Sequence, residues 1–202
     1  MIVYVESNFV LELAALQEQH RACEEIVRLA ERGAIRLVLP AFSVAEPYDV
    51  LRRRSAERAQ LRDQLSRHIA LLSRNASYET QLGQLGDVAK LLTESGRDER
   101  SRLDETLIRL LDACEVVPVG SDTLRTAIRA QVDRELAAQD SVIYGSVLAH
   151  LASARSGPKC FLNRNAKDFL TPAILEDLRR FDCRLLSSFT DGLAFIRERL
   201  ST

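Results

Sequence analysis

The chain lacks the cysteine spacing of a metal finger or a secreted disulfide scaffold. Its four cysteines, Cys23, Cys114, Cys160 and Cys183, contain no CxxC pair. Each falls in or beside an expected helix or strand, so reduced, mostly buried thiols are predicted. A basic-then-apolar leader is also missing, because Met1 to Val5 runs straight into an acid at Glu6. No apolar run approaches the roughly 18 residues that a membrane helix needs, and a cytoplasmic protein with no membrane partner is expected. Phosphate-cradling glycine motifs are absent, with neither GxGxxG nor a P-loop, and there is no GxSxG elbow. His20, His68 and His150 are isolated from one another, which argues against a triad or a zinc site. Nor is there an excess of either charge. With 28 basic and 29 acidic residues the net charge is -1, so a case for nucleic acid must rest on local clustering.

What is present is an ordinary globular mixture of 202 residues, 28% charged and 46% apolar. That length fits one domain spanning residues 1–202, able to bury roughly two-thirds of its unfolded surface. Short β-branched runs read as strands at Ile2–Val5, Ile35–Leu39 (halted by Pro40), Glu115–Val119, Lys159–Leu162 and Cys183–Leu186. Helical periodicity fills the intervals. Gly33 marks a helix end, Ser43 with Glu46 matches a capping box, Ser121 and Thr190 sit where caps are favoured, and Thr171-Pro172 opens a helix. Ser95 to Arg100 reads as a charged loop. Alternating strands and helices predict an α/β fold with a parallel sheet of about five strands. Residues 49–112 are expected to form a helical arm or insertion. Between positions 51 and 75 this arm carries seven arginines, Arg52, Arg53, Arg54, Arg58, Arg62, Arg67 and Arg74, against Glu57 and Asp63. A phosphate backbone would meet such a stripe favourably, although an arginine-rich helix can equally be a solvated face.

Four acids fall at comparable places: Glu6 after the first strand, Glu46 past the second, Asp140 at a helix start and Asp168 beyond the fourth strand. In a parallel sheet these places converge on the carboxyl edge, where ligands bind. Clustered carboxylates repel unless a cation neutralises them, and hard oxygen ligands select Mg²⁺ or Mn²⁺. Each acid also has a plainer explanation. Glu46 can complete the capping box, Asp140 can cap its helix, Asp168 can lie in a solvated loop, and Glu6 can sit at a sheet edge.

Taken in order, Val3 to Asn8, Ser43 to Tyr48 with Glu46, Gln139 to Tyr144, and Phe161 to Phe169 resemble the PIN-domain family of metal-dependent nucleases. The resemblance implies a three-layer α/β/α sandwich, an acidic pocket for Mg²⁺ or Mn²⁺, and hydrolysis of RNA. It also implies partners: members are often homodimers, and many are toxins restrained by an antitoxin protein. The site acids would be Glu6, Glu46, Asp140 and Asp168, supported by Ser7, Asn8, Asn163 and Asn165. Asn165 stands where the family often has its fourth acid, and Glu6 replaces the usual aspartate. The expected function is a metal-dependent endoribonuclease whose Arg52, Arg53, Arg54, Arg58 and Arg62 guide RNA. The alternatives are a catalytically silent module binding RNA or a protein through the arm, and a phosphoacceptor α/β domain.

Overall fold

The computed structural model describes residues 1–201, and gives the backbone alone at Ala76, Glu79, Thr80, Gln81, Gly83 and Gln84. In chain order the elements are β1 (Ile2–Tyr4), α1 (Ser7–Ala14), α2 (His20–Glu31), β2 (Arg36–Pro40), α3 (Phe42–Leu72), a 3-10 turn (Ala76–Tyr78), α4 (Glu79–Ala113), β3 (Cys114–Val117), α5 (Ser121–Asp133), α6 (Ala138–Ser153), β4 (Lys159–Leu162), α7 (Ala166–Phe169), α8 (Pro172–Arg179), β5 (Cys183–Leu186) and α9 (Phe189–Leu200). The strands form one parallel sheet in the order β3-β2-β1-β4-β5. Beginning at β1, the chain winds first towards β3 and then back past β1 towards β5. The reversal opens a crevice at the carboxyl ends of β1 and β4, the place where doubly wound sheets bind ligands.

The pleat divides the core. Val3, Val5, Leu37, Leu39, Cys160 and Leu162 join the apolar residues of α1, α2 and α9 on one face. Ile2, Tyr4, Val38, Phe161 and Leu185 join those of α6 and α8 on the other. The result is a three-layer α/β/α fold with β1 buried on both sides, which accounts for its continuous apolar run. The cysteines are free thiols, three buried and Cys114 half-buried.

Residues 95–100, expected as a charged loop, lie inside the continuous helix α4. Tertiary packing decides this, because α4 folds back along α3 as an antiparallel hairpin. Arg58 of α3 grips Glu99 with both Nη atoms, at 2.9 and 2.7 Å. Tyr48 donates to Asp104 at 2.7 Å, and the Arg100 guanidinium stacks 4.4 Å from the Tyr48 ring. At its base α4 buries Leu103, Leu107 and Leu110, while Leu111 faces outward at 47% exposure. Arg109 ties it to Glu24 and Glu31 of α2 at 2.7 and 2.6 Å.

Three predicted caps move. Gly120 precedes α5 with no side-chain cap, so Ser121 is already helical. Ser188, not Thr190, caps α9 by accepting from the Asp191 N–H. The third, at Ser43, belongs to the site below. Gly33 does end α2 at φ +70°, with Gly33 and Ala34 donating to Ala30 and Leu29. Thr171 caps α8 as expected.

Candidate active site

Glu6 follows β1 and is the N-cap of α1. Its extended backbone (φ −139°, ψ −169°) turns the side chain back to accept the Asn8 N–H at Oε2, at 2.9 Å. The other oxygen, Oε1, is buried without a hydrogen-bond partner, and the residue is only 3% exposed. Burial pushes the carboxyl up to about 8, and the neighbouring charges of Glu46 and Asp140 push the same way.

Glu46 does not complete a capping box. Helix α3 begins earlier, at Phe42 behind an Ala41 cap, so Ser43 lies within the first turn, buried and with its Oγ unpartnered. Pro47 sits inside the same helix and lacks the N–H that would reach the Ser43 carbonyl. Glu46 Oε2 instead accepts a hydrogen bond from Ser7 Oγ, which joins α3 to the start of α1. Ser7 and Asn8 therefore each hold one of the first two acids, Ser7 through its hydroxyl and Asn8 through its backbone N–H.

Asp140 lies in the first turn of α6, half-buried, without a side-chain cap role. Its Oδ2 accepts from Asn165 Nδ2 at 3.1 Å, and the same nitrogen donates to Asp168 Oδ2 at 2.9 Å. Burial is the main force raising Asp140 above the usual carboxylate range, with Asp168 and Glu46 adding to it. Asn163, buried at the end of β4, accepts the Asn165 N–H at 2.7 Å. Between these asparagines Arg164 reaches into Glu12 of α1, at 2.7 Å, and Glu12 is fully enclosed. Glu12 also accepts the Gln19 N–H. Sequence reasoning passed over this pair, though an acid inside Val10-Leu11-Glu12-Leu13 was a visible signal that it needed a buried partner.

Among the described residues, no ion pair reaches Glu6, Glu46, Asp140 or Asp168. Nor do three carboxylate, imidazole or thiolate groups close on one point as a preformed metal cluster. The donor set nonetheless suits a hard cation. It offers only oxygens, the charges of Glu6, Glu46 and Asp140 oppose one another, and one buried oxygen has no partner. Mg²⁺ takes one or two protein carboxylates and keeps several waters, so a closed cage is not required.

The arginines are placed less uniformly than their spacing implies. Arg58 is spent on Glu99, Arg52 pairs with Asp49 and Arg62 with Asp63. Arg53 is exposed and Arg54 half-buried on the same helix. Arg52, Arg58 and Arg62 line one wall of a groove of about 1020 Å³ between α3 and α4, and Arg97 and Arg100 line the other.

A family model described as a PIN domain matches residues 3–169, which run from within β1 through β4 and include Glu6, Glu46, Asp140 and Asp168. The chain belongs to the PIN-domain family. Membership carries nuclease-type activity in general terms, and PIN domains generally use divalent metals. No curated protein and no solved structure matches the chain. In this PIN domain no helix is long and apolar enough to cross a membrane, among the described residues.

Proposed function

We propose that this PIN domain is a divalent-metal-dependent endoribonuclease, folded as a single unit with the α3–α4 hairpin as an inserted arm. The observation that carries this reading is the buried, unpartnered Glu6 Oε1 beside Glu46 and Asp140 at the carboxyl edge of β1 and β4. Glu6, Glu46, Asp140 and Asp168 form the acidic pocket. The Asn8 N–H aims Glu6, Ser7 aims Glu46, and the loop from Asn163 to Asn165 sets the distance between Asp140 and Asp168. Mg²⁺ or Mn²⁺ bound there would polarise a water and the scissile phosphate, the chemistry that phosphodiester hydrolysis requires. Arg53 and Arg54, together with the groove arginines other than Arg58, steer the RNA strand towards the pocket by charge.

With Mn²⁺ the purified chain is expected to cleave single-stranded RNA, and Asp140→Asn to lower the rate about a hundredfold or more. RNA left intact by the wild type, or cut equally by Asp140→Asn, would overturn the proposal.

A second reading is favoured by the outer hairpin, where Leu61, Leu71, Leu72, Val88 and Leu91 are 43–63% exposed. Such leucines suit a protein partner, an antitoxin or a second copy of the chain, docking on the arm of a catalytically silent domain. Millimolar Mn²⁺ separates the two readings. A cation that binds only the folded state must raise Tm, so an unchanged Tm favours the silent module.

A further inference from the structure

We propose that Asn165 confines this pocket to one divalent cation, and that Asp168 holds Asn165 in place and is not itself a metal ligand. The inference rests on the metal-dependent reading above and sharpens it. The Asn165 amide nitrogen carries two hydrogens and has two acceptors, Asp140 Oδ2 at 3.1 Å and Asp168 Oδ2 at 2.9 Å. Both hydrogens are therefore used. Reversing the amide would set its carbonyl oxygen against two carboxylates, so the surrounding network fixes which end faces them. The backbone is held as firmly, since the Asn165 N–H donates to the buried Asn163 side chain and Arg164 is anchored on the enclosed Glu12.

Two-metal nucleases place a second cation about 3.5–4 Å from the first. In this pocket the carboxylates that could share a second cation are Asp140 and Asp168, and N–H hydrogens lie between them. A cation there would face the positive ends of those bonds. On the other side the situation is reversed. Glu6 Oε1 is buried with no donor, and the Asn165 amide hydrogens go to Asp140 and Asp168 and not to Glu6 or Glu46. The four carboxylates thus divide into a cation side (Glu6, Glu46 and one edge of Asp140) and an amide side (the other edge of Asp140, and Asp168). Asn165 does by hydrogen bonding what a second cation would do by charge.

The test is binding stoichiometry, read without activity. Mn²⁺ alone is titrated into the full chain, counting free ion by electron paramagnetic resonance and bound ion by calorimetry. The wild type is expected to take one Mn²⁺ per chain and Asn165→Asp to take two. Asn165→Ala and Asp168→Asn should still take one, weakened about tenfold because an outer contact is lost. Circular dichroism melts check that each variant is folded. Two ions on the wild type would overturn this inference and leave the nuclease proposal standing, whereas no binding at all would overturn both. A folded Asn165→Asp that still takes one ion would also overturn it, since the amide would then not be what excludes the second.

Discussion

The Glu6 carboxyl is buried, and this burial, with the charges of Glu46 and Asp140 beside it, moves it from an ordinary 4.5 to about 8. Between those values the folded chain keeps a proton that the unfolded chain has released. Stability is therefore highest on the acid side, falls as pH rises through this window, and levels off above about pH 8. Each pH unit inside the window costs at most about 1.4 kcal/mol from this one group. In EDTA, the Tm of the wild type should fall more steeply than that of Glu6→Gln between about pH 5 and about pH 8.5. Mn²⁺ should remove most of the difference from the wild-type curve, because a cation favours the ionised carboxyl. Equal slopes for the two proteins in EDTA would show that Glu6 does not titrate in this environment.

At the scale of elements, the α3–α4 hairpin separates arginines that hold the protein together from those left free for a ligand. Arg58 and Glu99 keep only 25% and 14% of their side chains exposed and bond through two nitrogens. Arg58→Ala is therefore expected to cost about 1–2 kcal/mol, between the values for exposed and buried pairs. Urea denaturation would measure the loss. Arg53, exposed and without an ion pair among the described residues, should be nearly neutral for stability when changed to alanine. An Arg58→Ala chain as stable as the wild type would show that the pair does not brace the hairpin.

On the scale of the whole molecule, a net charge of -1 conceals a local basic stretch, residues 51–75, with seven arginines against Glu57 and Asp63. It lies on the arm that leaves the carboxyl edge of the sheet after β2, the edge that also carries the four site acids. RNA binding should consequently be steeply salt-dependent although the chain is almost neutral. Fluorescence anisotropy of a single-stranded RNA on the Asp140→Asn chain in EDTA, across increasing KCl, is expected to show this. Arg53→Ala should reduce the slope of log K against log salt by about 0.7, one phosphate contact on a single strand. A slope unchanged by Arg53→Ala would place the RNA elsewhere.

By itself the sequence determined the layered α/β plan, because alternating β-branched runs and helical periods admit few other solutions. The same local patterns marked strands β4 and β5, the Gly33 and Thr171 helix ends, and the order of the four acids. What only the tertiary structure decided depended on contacts between residues far apart in the chain. Residues 95–100 are helical because α3 supplies Ser55, Arg58 and Tyr48 for that stretch to lie against. Glu46 turns to Ser7 instead of Ser43 because α1 and α3 meet at the crevice. Asn165 lies between Asp140 and Asp168 because the turn after β4 runs past the start of α6. Local propensity records how each segment prefers to fold, but a hydrogen bond across 25 residues or more leaves no period to read.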